Sequence, residues 1–107
     1  MELLANERII LFGLLPETGD ITTMKGLRIL KEEIVLNSDD IEAIEFITEV
    51  KDGKLISKWD PDKAKEVIKD VDISGVMLAM IVDILKKKES DKELTDNHIE
   101  LWDKFCE

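Results

Sequence analysis

The chain has 107 residues, of which 44% are apolar and 37% are charged, a composition typical of one globular domain with a single core. Its formal charge of −10 at pH 7 disfavours direct binding to nucleic acid and to anionic membranes, because both are negatively charged. The single cysteine cannot form an internal disulfide, and no apolar run is long enough to cross a bilayer. We therefore expect a single domain over residues 1–107 in the cytoplasm.

The first part of the chain has the apolar spacing of three helices. Residues 2–15 predict a helix that ends before Pro16, since proline lacks an amide hydrogen and disfavours helix in the residue before it. Thr22 or Thr23 could cap a second helix that runs to about Leu36. The buried face of this helix should consist of Leu27, Leu30 and Ile34. A short third helix should follow, capped by Ser38.

A β-hairpin is predicted over "FITEVKDGKLISKW", because Asp52-Gly53 suits the positive φ angles of a two-residue turn. The register that follows from this turn places three residue pairs on one surface: Val50 with Leu55, Thr48 with Ser57, and Phe46 with Trp59. We expect that surface to pack inward.

The remaining segments predict a helical turn, a strand and two helices. Asp60 should cap the turn with Pro61 in its first position. "VIKDVDI" fits a third strand, with Val67, Val71 and Ile73 on one side. Ser74 should cap a central core helix that is apolar nearly all round, and Thr95 should cap the last helix. Together the elements predict a helix-rich α+β fold with three N-terminal helices, a hairpin with a third strand, and two C-terminal helices.

The only histidine and the only cysteine, His98 and Cys106, fall in the predicted last helix. Eight residues of helix rise about 12 Å, so these two side chains cannot share a metal ion or form a catalytic dyad. We interpret His98 as a half-buried packing residue whose neutral ring is favoured at the start of the helix. Met77 and Met80 are interpreted as core residues rather than as a binding groove. No catalytic residue, metal site or cofactor site is predicted.

Leu15 to Gly19 spell "LPETG", the same five letters as the signal that sortases recognise. That signal precedes a hydrophobic segment and a basic tail near a C-terminus, whereas here a polar amphipathic stretch follows. We therefore interpret the match as accidental and expect Pro16 and Gly19 to form a turn between two helices.

Over residues 2–59 the order of helix, short extended "DITT", helix, short helix and hairpin resembles that of a winged-helix domain. The resemblance implies that the third helix would enter the major groove of DNA and carry Arg, Lys or Asn. Here that helix reads "SDDIEAIEF", which DNA would repel.

Most of the chain also resembles small uncharacterised proteins encoded by phages and prophages. The residues that carry this resemblance are "LLPETGD", Leu27-Arg28, Trp59 and "LTDNHIELWDKF". The resemblance implies a viral or prophage origin and residence in the host cytoplasm. It implies no catalytic residue or cofactor, and small accessory proteins of this origin usually act by binding other proteins.

Three functions stay open at this point. The leading hypothesis is a small non-enzymatic module that binds a protein partner, which could be a second copy of itself. The alternative is an acidic inhibitor that imitates nucleic acid toward a host nuclease or polymerase. Its partner-binding residues would be Asp39, Asp40, Glu42, Glu45 and Glu49. A further alternative is a winged-helix transcription regulator.

Overall fold

The computed structural model describes residues 1–106, which fold into a mixed arrangement of helices and short antiparallel strands. The helices are α1 (Ala5–Leu14), α2 (Ile21–Ile34), α3 (Ser38–Ala43), α4 (Pro61–Ala64), α5 (Gly75–Ser90) and α6 (Ile99–Phe105), with a 3₁₀ turn at Asp96–His98. The strands are β1 (Glu2–Leu4), β2 (Ile47–Lys51), β3 (Lys54–Lys58) and β4 (Ile68–Asp70). The expected α+β class is confirmed.

The predicted helix over residues 2–15 is wrong at its start, because Glu2–Leu4 forms strand β1. This strand pairs antiparallel with β4, and its central residue, Leu3, is fully buried. The carboxylate of Glu7 accepts a hydrogen bond from the Leu4 amide at 2.8 Å, which satisfies a free donor at the helix start and begins α1 at Ala5. The third strand therefore exists, but its partner is β1 rather than the hairpin.

Two helix caps differ from the prediction. Asp20 caps α2 by accepting the Thr23 amide at 2.7 Å, and this hydrogen bond lowers the pKa of the Asp20 carboxyl. The residues "ITT" form the first turn of α2, so "DITT" is not a strand. Asn37, not Ser38, caps α3 by accepting the Asp40 amide at 2.8 Å. The predicted buried face of α2 is confirmed, since Leu27, Leu30 and Ile34 are all buried.

The hairpin has the predicted register and turn, with φ angles of 53° at Asp52 and 76° at Gly53. Its inward packing is confirmed only at the base, where the rings of Phe46 and Trp59 stack with centroids 6.0 Å apart. Nearer the turn the prediction is wrong, because Val50 is 74% exposed and Leu55 is 75% exposed. The outer half of the hairpin extends away from the core.

Two groups of buried side chains form the core, and the segment from β1 through α1 contributes to both. The larger contains Leu3, Leu11, Leu15, Leu27, Leu30, Ile34, Val71, Met77, Ile81, Leu85 and Leu101. The smaller contains Ala5, Ile44 and Ala64, with Ile9, Leu36, Phe46, Trp59 and Val67 packed against it. Because α1 joins the two groups, the described residues form one domain.

Helix α5 packs through one face rather than being buried all round. Met77, Ile81 and Leu85 are buried at helical spacing, as the core interpretation of Met77 requires, whereas Val76 is exposed. The predicted caps Ser74 and Asp60 are confirmed, and Thr95 precedes the 3₁₀ turn that leads into α6.

Candidate functional site

An apolar groove opens where α1, the end of α2, α3 and the base of the hairpin meet. Its volume is about 240 Å³, and it is lined by Arg8, Ile9, Phe12, Ile34, Val35, Leu36, Ile41 and Phe46. Three of these apolar side chains reach solvent, since Phe12 is 41%, Val35 50% and Ile41 38% exposed. Apolar side chains exposed together beside a formed core mark a surface that can bury area against another molecule.

Arg8, the one charged residue that lines the groove, is 1% exposed. Its Nε donates to the Ile34 carbonyl at 3.1 Å, and one Nη2 donates both to the Val35 carbonyl at 2.8 Å and to an Asp40 carboxylate oxygen at 2.9 Å. These bonds attach α1 to the C-terminal end of α2 and to the start of α3. They also fix the position of Arg8 in the lining of the groove.

The other terminal nitrogen of Arg8, Nη1, is buried and has no hydrogen-bond partner among residues 1–106. A buried donor left without an acceptor costs about 1–3 kcal/mol relative to a satisfied one. The charge of Arg8 is already balanced by Asp40 at 2.9 Å. The lining of the groove therefore includes a residue with a buried donor, covered by neighbouring atoms, which a neutral acceptor can reach only when those atoms move apart.

A second buried charge on α1 lies beside Arg8 in the sequence. Glu7 is buried, and its carboxylate accepts from Lys104 Nζ at 2.6 Å as well as from the Leu4 amide. Lys104 Nζ also donates to the Glu2 carbonyl at 2.7 Å. Helix α6 is thereby held against β1 and α1, so Glu7 and Arg8 fix α1 from two sides.

The five acidic residues proposed as a partner-binding set divide into two groups in the structure. Asp40 pairs with Arg8, Glu45 pairs with Lys63 Nζ at 3.0 Å, and Glu49 pairs with Lys58 Nζ at 3.2 Å. The hydrogen bond and charge of Glu45 raise the pKa of Lys63. Asp39 and Glu42 are exposed on α3, without an ion pair among the described residues. These two flank Ile41 of the groove.

His98 lies in the 3₁₀ turn, where its Nδ1 accepts the Thr95 amide at 3.0 Å. Burial, followed by the positive charge of Lys88, lowers the pKa of the imidazole. The neutral ring is favoured as predicted, but by burial and Lys88 rather than by the start of a helix. Cys106 packs against the larger core group at the end of α6. Within residues 1–106, no three His, Cys, Asp or Glu side chains are grouped as metal ligands.

A larger cavity of about 580 Å³ is lined in part by Ser57, Lys58 and Trp59 at the base of the hairpin. Its lining combines polar, charged and apolar residues: Asn6, Ser57, Lys58, Trp59, Pro61, Lys65, Asp96, Asn97 and Glu100. The indole nitrogen of Trp59 donates to Asn6 at 3.2 Å, so its main donor is already used. In the described part of the chain, no helix has the length and apolar character needed to cross a membrane.

Comparisons with family models, with curated proteins and with solved structures find no match to this chain. Sequence reasoning missed Arg8, although a signal was present: Arg8, Leu11 and Leu15 have the spacing of one helix face, and both leucines are buried. A charged residue on a core-facing stripe predicts a buried ionic contact.

Proposed function

We propose that this chain is a small, non-enzymatic, protein-binding module of the cytoplasm that takes up its partner at the apolar groove. The observation that carries the proposal is the joint exposure of Phe12, Val35 and Ile41 around a concave surface. Exposed apolar patches with polar surroundings are typical of protein interaction sites. The resemblance to small phage-encoded accessory proteins supports the same role.

The size of the groove favours a protein partner over a small molecule. Small-molecule sites usually have volumes of about 300–1,000 Å³ and enclose most of their ligand. The groove holds about 240 Å³ and is open to solvent along Phe12, Val35 and Ile41. Such a surface suits a side chain that projects from a larger molecule.

The alternative of a nucleic-acid-imitating inhibitor has less support. It needs carboxylates that stay free to meet a cationic surface, as phosphates do. Three of the five proposed residues, Asp40, Glu45 and Glu49, have a cation of the same chain within ion-pair distance. The groove therefore supports the binding proposal better than the acidic set supports the alternative.

The test compares three immobilised forms of the protein in a host lysate: wild type, Ile41→Lys and Ile29→Lys. Ile41 lines the groove, whereas Ile29 is an exposed residue of α2 outside it, so the second variant controls for the added charge. We expect wild type and Ile29→Lys to retain the same proteins and Ile41→Lys to lose them. Equal retention by all three forms, or retention of nothing above an inert bead, would contradict the proposal.

A further inference from the structure

We propose that the groove binds a basic and apolar segment of a partner protein, with an apolar side chain in the groove. A main-chain carbonyl of the segment accepts from Arg8 Nη1 after the side chains that cover this atom move aside. This inference rests on the proposed function and specifies the chemistry of the partner. It combines three independent features of the groove: its apolar walls, its unsatisfied donor and the charge at its rim.

The walls favour one apolar side chain as the anchor. Apart from Arg8, every residue that lines the groove is apolar. Phe12 and Phe46 contribute aromatic rings that can bury a large contact area. Burying an aliphatic or aromatic side chain there would also cover the exposed parts of Val35 and Ile41.

The donor favours a neutral acceptor. Arg8 already has Asp40 as its counter-charge and two carbonyls, those of Ile34 and Val35, as further acceptors. A second carboxylate would have to enter a site whose positive charge is already balanced, whereas a carbonyl oxygen carries no net charge. Every residue of a peptide supplies such a carbonyl, so an extended segment can satisfy Nη1 without a particular side chain.

The rim favours cations beside the apolar anchor. Asp39 and Glu42 are three residues apart on α3, which places them on one face, next to Ile41. The chain as a whole carries −10, so its field attracts basic segments. Lys31 Nζ lies 5.8 Å from the centroid of the Phe12 ring and supplies a positive charge at another part of the rim. The basic residues of the partner should therefore lie beside α3 rather than beside Phe12.

The experiment selects from a displayed library of random dodecapeptides on the wild-type protein, with Ile41→Lys as the counter-selection and Ile29→Lys as the control. We expect enriched peptides to share one aliphatic or aromatic residue with Lys or Arg close to it. The best peptide, synthesised with blocked termini, should bind wild type and Ile29→Lys equally and Ile41→Lys about tenfold or more weakly. Replacing Lys or Arg by Glu in that peptide should weaken binding by a similar factor.

The contribution of Arg8 is measured without changing the protein, because substitution of a buried arginine could prevent folding. Replacing each amide of the peptide in turn by an ester weakens one carbonyl acceptor at a time. We expect one ester position to lower affinity about threefold to tenfold, since hydrogen bonds to charged donors are the stronger kind. In ¹H–¹⁵N spectra the same position should alter the peptide-induced shifts of Arg8 and its neighbours.

Enriched peptides with acidic flanks, or binding that Ile41→Lys leaves unchanged, would overturn this inference. It would equally be overturned if wild type forms a dimer in sedimentation that Ile41→Lys abolishes, because the occupant would then be a second copy. In both cases the proposed function would still hold if a lysate protein binds wild type and Ile29→Lys but does not bind Ile41→Lys. If Ile41→Lys also retained the same lysate proteins as wild type, the proposed function would be contradicted as well.

Discussion

The guanidinium group of Arg8 and the carboxylate of Asp40 lie 2.9 Å apart, although 32 positions separate them in the sequence. Arg8 is almost fully buried, and Asp40 is mostly buried. Asp40 also accepts a hydrogen bond from the Asn37 amide at 3.1 Å, so the same carboxylate takes part in the N-terminal cap of α3. This pair connects α1 to α3 beside the groove, which Arg8 and Ile41 both line.

We predict that Asp40→Asn lowers the free energy of unfolding by about 3 kcal/mol, since removing one partner of a buried ion pair leaves the other charge uncompensated. Urea unfolding followed by circular dichroism measures the change. Asp39→Asn is the matched control, because Asp39 is exposed on the same helix and has no ion pair among residues 1–106. Its effect should stay below about 1 kcal/mol. Similar losses in both variants would contradict the assigned role of the pair.

Local patterns in the sequence predicted most elements because each depends on neighbouring residues. Asp52-Gly53 determines the turn and the register of the hairpin, and Ser74 starts α5 through its own side chain. Strand β1 could not be predicted in this way, since its partner β4 lies in a distant part of the chain and "ELL" fits a helix equally well. The exposure of the outer half of the hairpin could not be predicted either, because it depends on whether another element packs against the hairpin and not on the hairpin's own apolar pattern.

We predict opposite effects for two glycine substitutions. Gly53 has a φ of +76° and no atom near the position of an added Cβ, so Gly53→Ala should cost about 1–2 kcal/mol through the backbone alone. Gly13 lies inside α1 with open space around it, and Gly13→Ala should stabilise the protein by about 0.5–1 kcal/mol. Thermal unfolding compares the global stabilities, and amide hydrogen exchange in β2 and β3 detects local opening of the hairpin. A stabilising Gly53→Ala would contradict the observed turn.

We predict that stability falls as the pH is lowered through the range below 6.5, the ordinary pKa of histidine. Burial and Lys88 lower the pKa of His98 in the folded state, so in this range the unfolded chain binds more protons than the folded one. The contribution of His98 to the free energy of unfolding should therefore be complete above pH 6.5 and should be lost as the pH falls from that value to the lowered pKa of the folded state. His98→Gln can still accept the Thr95 amide but does not titrate, so its free energy of unfolding should change less as the pH is lowered below 6.5. An unchanged pH profile in this variant would exclude His98 as the source.

The groove illustrates why the candidate site was harder to predict than the elements. The spacing of Arg8 with Leu11 and Leu15 indicates a buried charge, yet its acceptors include the backbone carbonyls of Ile34 and Val35. These carbonyls can accept from Arg8 only because α2 ends there, which leaves them without helical partners. Whether Nη1 finds an acceptor depends on how these two carbonyls and the Asp40 carboxylate are arranged in space. Net charge alone favours the acidic residues Asp39, Asp40, Glu42, Glu45 and Glu49 instead, none of which lines the groove.

Finally, we predict that sortase cleaves the folded protein far more slowly than a synthetic peptide of residues 11–23, although both contain "LPETG". Leu15, the first residue of the motif, is 6% exposed and belongs to the larger core group, so it cannot enter an enzyme groove while the core is intact. Cleavage should then occur through the unfolded population. A loss of about 3 kcal/mol in the free energy of unfolding increases that population about a hundredfold. Asp40→Asn should accordingly be cleaved much faster than wild type and Asp39→Asn at nearly the wild-type rate, as measured by mass spectrometry over time. Wild-type cleavage as fast as that of the peptide would mean that the loop between α1 and α2 releases Leu15 without unfolding.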